Sequence, residues 1–263
     1  MDRVIFGDNQ FFGVNHSSDE KSRAQMIRFK ENKTILNVLG TVVDEGINTF
    51  MCTTHDRIAE ICHTIRTDSK FESFQIYPCM PYAHKYANAV TELGIMGTIK
   101  QYVPGNIFSA VAKGGMAFVK KDFISMMELM IDAEMKMFKG ISTPVIFIQN
   151  VITDLLLGLG MTEFLKSFHQ YIRHKYDAEP GYITMNLPLL LKTLEGCGIE
   201  NPIVFASINK AGCRMSGGKA VYEEVIKEKR CRLIAMQVFA AGTISPKEAL
   251  EYVCRMDGIE SIL

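Results

Sequence analysis

The sequence predicts an α/β protein, a (β/α)8 TIM barrel formed by a single domain over residues 1–263. Three observations support this fold class. Short β-branched runs alternate with helical patterns eight times along the chain. The alternation implies parallel strands with right-handed crossovers, and eight such units match a closed barrel. No G-x-G-x-x-G follows the first strand, which disfavours an open dinucleotide-binding sheet.

The strands are predicted where β-branched and aromatic residues cluster: 4–6, 47–52, 74–77, 145–148, 182–185, 203–206, 233–236 and 259–263. The third is expected to end at Pro78. A helical pattern precedes the second strand and stops at Gly46. Ser245, Pro246 and Glu248 together form a strong helix start before the eighth strand.

Two features depart from a minimal barrel. Residues 83–143 form a long link between strands three and four, with helical stretches that include 122–138, and we expect a helical insertion there. Such an insertion could cover the active site, or it could serve packing or dimerisation. The chain ends within the eighth strand, so the C-terminal unit is expected to be incomplete.

Composition excludes several classes of partner. The 29 basic and 29 acidic residues balance, which argues against a nucleic-acid binder. The longest apolar runs, such as 145–148, are far shorter than the roughly 20 residues of a membrane span. The start of the chain shows no signal peptide, and seven cysteines lack any C-x-x-C pair. We therefore expect a cytoplasmic protein that binds a small molecule, with oligomerisation left open.

Candidate site residues follow the strands, because active sites of such barrels lie at the carboxyl ends of the strands. Asp8 and Asn9 follow the first strand, where they either orient a substrate or seal a turn. His16, His55 and His84 follow the first three strands, but their spacing does not support a metal site. His16 and His84 are candidate substrate ligands. His55 with Asp56 is the best acid–base candidate. Further candidate substrate ligands at later strand ends are Gln149, Asn150, Asn186 and Asn209.

The segment after the sixth strand is cationic and rich in glycine. Lys210 could form a Schiff base with a carbonyl if the barrel desolvated it, hold an anion together with Arg214, or point to solvent. Anion binding is the preferred interpretation. Gly242 and the helix start at Ser245 suggest a second anion site.

Several segments resemble aldo/keto reductase-type barrels. The resemblance lies in residues 46–50, 209–212, 233–236, 239–250 and 258–262. It implies the barrel fold, an oxidoreductase activity and NADP as the cofactor. The family's catalytic aspartate, tyrosine, lysine and histidine are not matched. Met51 stands at the aspartate position, Cys79 or Met80 at the lysine position, and Gln149 or Asn150 at the histidine position, and no tyrosine follows Met51 closely.

Three hypotheses follow. The first is an aldo/keto reductase-like enzyme, NADP-dependent by resemblance, that acts on a small polar or carbonyl metabolite and uses His55, Asp56 or Tyr82 for acid–base work. The second is a non-redox lyase or aldolase that uses Lys210. The third is a catalytically silent barrel that binds a ligand or a partner.

Overall fold

The computed structural model of the protein describes residues 1–15, 18–82 and 116–263, with side chains from residue 124 onward in the last of these ranges. Within them lie eight strands: β1 Phe6–Gly7, β2 Thr49–Thr53, β3 Gln75–Met80, β4 Val145–Ile148, β5 Glu179–Thr184, β6 Ile203–Ser207, β7 Arg232–Met236 and β8 Ile259–Ile262. Each strand pairs in parallel with the next, so their order in the sheet is their order in the chain.

The α-helices found in these ranges lie between the strands. Their bounds are α1 Asp19–Arg28, α2 Asn32–Asp44, α3 Asp56–Thr67, α4 Met116–Met135, α5 Asn150–Gly158, α6 Thr162–Tyr176, α7 Leu187–Gly196, α8 Lys219–Lys227 and α9 Pro246–Cys254. No helix among the described residues is long and apolar enough to cross a membrane.

The sheet closes on itself where β8 meets the residues before β1. The Ile5 amide donates a hydrogen bond to the Ile262 carbonyl at 2.9 Å, and the Ile262 amide donates to the Arg3 carbonyl at 3.0 Å. All eight strands run in the same direction, so their carboxyl ends share one rim. The predicted (β/α)8 barrel is confirmed, and enzymes with this fold have their active sites at this rim.

The barrel has two apolar layers. Alternate strand residues point inward and fill the barrel, while the others form the larger core between the sheet and the helices. Gly181 faces the interior, where a Cβ atom would lie 2.4 Å from the ring of Phe147. That ring is fully buried, and it occupies the space that a side chain at position 181 would need.

The strand boundaries differ from the predicted ones at two prolines. The third strand does not end at Pro78 but continues to Met80, and its pairing with β4 begins only at Cys79. The missing N–H of Pro78 therefore interrupts no described pairing with β4. The fifth strand begins at Glu179, so it includes Pro180.

The described part of the predicted insertion is residues 116–143, most of which form α4, and residues 83–115 lie outside the described ranges. The outer anchor of α4 is Asp132, whose carboxylate accepts hydrogen bonds from the Tyr171 hydroxyl (2.6 Å), the Tyr176 hydroxyl (2.5 Å) and the Lys175 ammonium (2.5 Å). These three partners belong to α6, so α4 is tied to the helical layer next to it.

Candidate active site

The first feature of the rim is a buried carboxyl group. Asp8 follows β1 directly, and its side chain is 6% exposed. One of its oxygens accepts hydrogen bonds from the Thr53 amide at 2.8 Å and the Thr53 hydroxyl at 2.7 Å. None of the described residues forms an ion pair with it. Burial raises the pKa of Asp8, although the hydrogen bonds from Thr53 oppose the rise.

The second feature is a column of three rings beside Asp8. His55 stacks on Phe12 with ring centroids 4.2 Å apart and an interplanar angle of 15°. Tyr82 approaches the imidazole of His55 with a centroid distance of 5.7 Å and an angle of 60°. We call Asp8, Phe12, Thr53, His55 and Tyr82 the mouth cluster. It joins the carboxyl ends of β1, β2 and β3.

His55 is held in one tautomer by its place at the start of α3. It is the N-cap residue, and its Nδ1 accepts a hydrogen bond from the Arg57 amide at 3.1 Å. The proton of the neutral ring is therefore assigned to Nε2. Burial lowers the pKa of His55, the charge of Asp56 raises it, and that of Arg57 lowers it, for a net decrease. The imidazole is thus neutral at neutral pH, with one N–H to donate.

The pKa of Tyr82 is shifted upward, opposite to that of His55. Burial raises the pKa of its phenol, and the carboxylates of Asp8 and Asp56 raise it further. The phenol therefore keeps its proton and is a proton donor at neutral pH. Cys79 lies near the same carboxyl group; burial and then the charge of Asp8 raise the pKa of its thiol well above the usual range. Cys79 is accordingly a buried thiol rather than a nucleophile.

A carboxylate that the sequence did not single out lies behind these rings. Glu134 of α4 is 3% exposed, and it accepts hydrogen bonds from the Thr54 hydroxyl at 2.6 Å and from the Tyr82 amide at 3.2 Å. Thr54 is fully buried. Sequence patterns give no signal for this contact, because Glu134 is 80 residues from Thr54 along the chain.

The amide side chains predicted at later strand ends mostly serve the fold. Asn186 caps α7 by accepting a hydrogen bond from the Leu189 amide at 3.3 Å. Asn209 is fully buried, and its amide closes a loop by bonding both the Cys213 carbonyl (2.9 Å) and the Cys213 amide (2.8 Å). Gln149 donates to the Cys79 carbonyl at 3.4 Å, which places it at the rim beside β3.

Two further residues were predicted as substrate ligands at strand ends. Asn150 is the first residue of α5 and is partly buried, and Asn9 is exposed. His16 and His84 lie outside the described residues. Among the described residues, no group of His, Cys, Asp or Glu side chains could hold a metal ion.

The predicted anion sites lie in exposed loops after β6 and β7. Lys210 is 49% exposed and forms an ion pair with Glu248 of α9. It therefore lacks the burial that the Schiff-base hypothesis requires. Arg214 and Gly242 are exposed, and the Ser245 hydroxyl is engaged as the N-cap of α9, accepting from the Glu248 amide at 3.4 Å.

Comparison with known proteins bears on the fold. No protein-family model and no curated protein matches the chain. Among solved structures, it is similar to a thermostable aldo-keto reductase crystallised with the inhibitor epalrestat. The TM-score is 0.55 at 12% sequence identity, and the match covers 100% of this chain and 84% of that one. The chain shares the fold of an aldo-keto reductase. The predicted resemblance is thereby confirmed at the level of the barrel.

The positions assigned to that family's catalytic group hold no ionisable set here. Met51 is 3% exposed and belongs to the apolar filling of the barrel, next to Cys79 in the same layer. Gln149 carries an amide at the end of β4. Ionisable side chains described at this rim include those of Asp8, His55 and Tyr82 in the mouth cluster.

Proposed function

We propose that this protein is an aldo-keto reductase-like enzyme that binds a small polar or carbonyl compound at the mouth cluster, with Tyr82 as the proton donor and His55 as a hydrogen-bond donor. The supporting observation is the contact between a neutral imidazole and a protonated phenol beside the buried carboxyl group of Asp8. Opposed pKa shifts on neighbouring groups are typical of acid–base sites.

The roles follow from the protonation states. A substrate oxygen that gains negative charge during the reaction would take the phenolic proton of Tyr82. The Nε2–H of His55 would donate a hydrogen bond to the same oxygen and stabilise the developing charge. Asp8 has a raised pKa and no cationic partner among the described residues, which suits it to exchange a proton with a substrate hydroxyl.

NADP dependence is the part of the proposal that only the relationship of folds supports. Of the groups that the sequence offers for an anion, the hydroxyl of Ser245 is engaged within the fold, and Lys210 is paired with Glu248. Arg214 is the exposed cation that remains in this set. These groups thus do not form a fitted phosphate site, and no hydride step is assigned.

The cysteines bear on the compartment. All seven, which all belong to described ranges, are free thiols. Free thiols are typical of a reducing environment. We therefore propose the cytoplasm as the location of the protein.

The test combines ligand binding with two substitutions. Small carbonyl and hydroxy compounds are screened by thermal shift, and NADPH binding is followed by the change in the cofactor's own fluorescence. For any compound turned over, His55→Gln and Tyr82→Phe should each lower the rate by about 10²- to 10⁴-fold. His63→Gln, an exposed histidine on the same helix α3, is the matched control and should leave it unchanged.

Three results would contradict the proposal. Full activity in both His55→Gln and Tyr82→Phe would remove the assigned roles. Absence of NADPH binding would remove the redox version and leave the acid–base site. If the protein binds none of the compounds and no cofactor changes its stability, it would be a catalytically silent barrel.

A further inference from the structure

We propose that Glu134 is a positioning residue for the mouth cluster, holding the imidazole of His55 and the phenol of Tyr82 in contact from the outer side of the rim. This inference rests on the proposed function, because the geometry of the two rings matters to the reaction only if both act on the same substrate oxygen. The positioning itself is a structural property and is tested separately from activity.

The contacts of Glu134 reach both sides of the ring pair. On one side, its carboxylate accepts from the hydroxyl of Thr54, the residue directly before His55 in the chain, at 2.6 Å. On the other, both carboxylate oxygens lie within 3.3 Å of the Tyr82 amide nitrogen. One side chain thus fixes the backbone that carries each ring.

The location of this carboxylate is energetically unfavourable by itself. Glu134 is 3% exposed, and burial of a carboxylate is costly unless hydrogen bonds compensate it. It is also the penultimate residue of α4, at the negative end of the helix dipole, where an acidic side chain is disfavoured. The hydrogen bonds from the Thr54 hydroxyl and the Tyr82 amide, at the ends of β2 and β3, work against these two costs.

The other acidic contact of α4 supplies a matched control. Asp132 lies two residues earlier and faces α6, where it binds Tyr171, Tyr176 and Lys175. Asp132→Asn and Glu134→Gln each replace one carboxylate of the same helix by an amide. Only the second should disturb the rings.

The readout is the pKa of His55 in the intact protein, measured by NMR titration of its imidazole. The signal is assigned by its loss in His55→Gln. Burial, Asp56 and Arg57 shift this pKa, and the ring of Tyr82 lies against the imidazole with the ring centroids 5.7 Å apart. In Glu134→Gln a side-chain NH2 replaces one of the two oxygens that face the Tyr82 amide, so two donors meet there. We expect Tyr82 to move off the imidazole, so that water reaches the ring and the pKa of His55 rises toward its ordinary value of about 6.5.

The pKa of a second histidine, His169, shows whether a variant loosens the whole fold and not the mouth cluster alone. His169 is a second partly buried histidine; its Nδ1 lies 3.1 Å from the Tyr182 hydroxyl, and burial lowers its pKa. Its pKa should stay unchanged in Glu134→Gln. Asp132→Asn should lower thermal stability while leaving the pKa of His55 where it is. Thr54→Val, which removes only one donor, should reproduce part of the Glu134→Gln shift.

Two outcomes would overturn the inference. The first is an unchanged pKa of His55 in Glu134→Gln. The second is an equal shift in Asp132→Asn, which would mean that loosening α4 is sufficient. If the shift occurs while His55→Gln and Tyr82→Phe keep full activity, the positioning stands and the proposed function fails.

Discussion

Gly181 packs against the ring of Phe147 in the barrel interior, where no space is left for a side chain at position 181. A Cβ atom at position 181 would lie 2.4, 2.4 and 2.8 Å from three ring atoms of Phe147. Carbon atoms in good contact are about 3.5–4.0 Å apart, so Gly181→Ala forces a displacement of about 1 Å. The ring of Phe147 has little room to move, because it is fully buried and packs against two other rings. Its centroid lies 6.0 Å from that of Tyr77 and 6.3 Å from that of Phe205.

The expected loss for Gly181→Ala follows from this overlap. Overpacking in a well-filled core costs about 1–3 kcal/mol, and the number of short contacts favours the upper part of that range. The entropic gain of replacing glycine offsets about 0.4–1 kcal/mol of it. For a chain of this size, a net loss of about 1–2 kcal/mol lowers the melting temperature by about 2–8 °C.

Calorimetry and urea titration measure this loss. Gly196→Ala is the control, because nothing lies within 4 Å of a Cβ atom there, and it should be neutral or slightly stabilising. Phe147→Leu removes ring atoms from the overlap, so the double variant with Gly181→Ala should lose at least about 0.5 kcal/mol less than the sum of the single changes. Additive losses, or an unchanged melting temperature in Gly181→Ala, would refute the described packing.

Three other outcomes are expected from charged side chains. Asp8→Asn keeps an acceptor for Thr53 but removes a carboxyl group whose pKa is raised in the folded protein. The variant should therefore be more stable than the wild type at neutral pH and less active. The gain in stability should vanish as the pH falls toward 3.8, the ordinary pKa of the side chain. Asp132→Asn should instead lower stability at neutral pH. Burial raises the pKa of Asp132, but its hydrogen bonds outweigh burial and lower it. The stability lost in this variant should therefore shrink as the pH falls through the folded pKa, which urea titrations at several pH values measure. Lys210→Ala removes an exposed ion pair with Glu248, and should lower unfolding free energy by less than about 1 kcal/mol without loss of turnover; a large loss of turnover would restore the lyase hypothesis.

The sequence predicted the barrel because its strands are local features. The fourth strand, predicted at 145–148, is Val145–Ile148, and the helix start at Ser245 is confirmed as an N-cap. The same local reasoning was wrong about the end of β3 at Pro78. A proline lacks a donor, but it ends a strand only where a neighbouring strand needs that donor.

The site was predictable only in part. The position of His55 and Tyr82 after neighbouring strands follows from topology, since parallel strands end at one rim. Their contact, the stacking on Phe12 and the carboxylate of Glu134 depend on segments far apart in the chain, which periodicity does not relate. Asn209 was predicted as a substrate ligand from its place at a strand end. Its side-chain amide instead hydrogen-bonds to its own loop, as short polar side chains often do, so the groups that would bind a substrate are already engaged.

The buried carboxylate of Glu134 has a consequence for any effort to shorten this protein. An engineer who replaced residues 124–135 by a tight turn would remove the acceptor for the buried Thr54 hydroxyl and the Tyr82 amide. Each donor left unsatisfied costs about 1–3 kcal/mol. A minimal barrel cut from this chain would therefore be destabilised at the rim where the proposed chemistry takes place, and a compact redesign has to bring a replacement acceptor to that point.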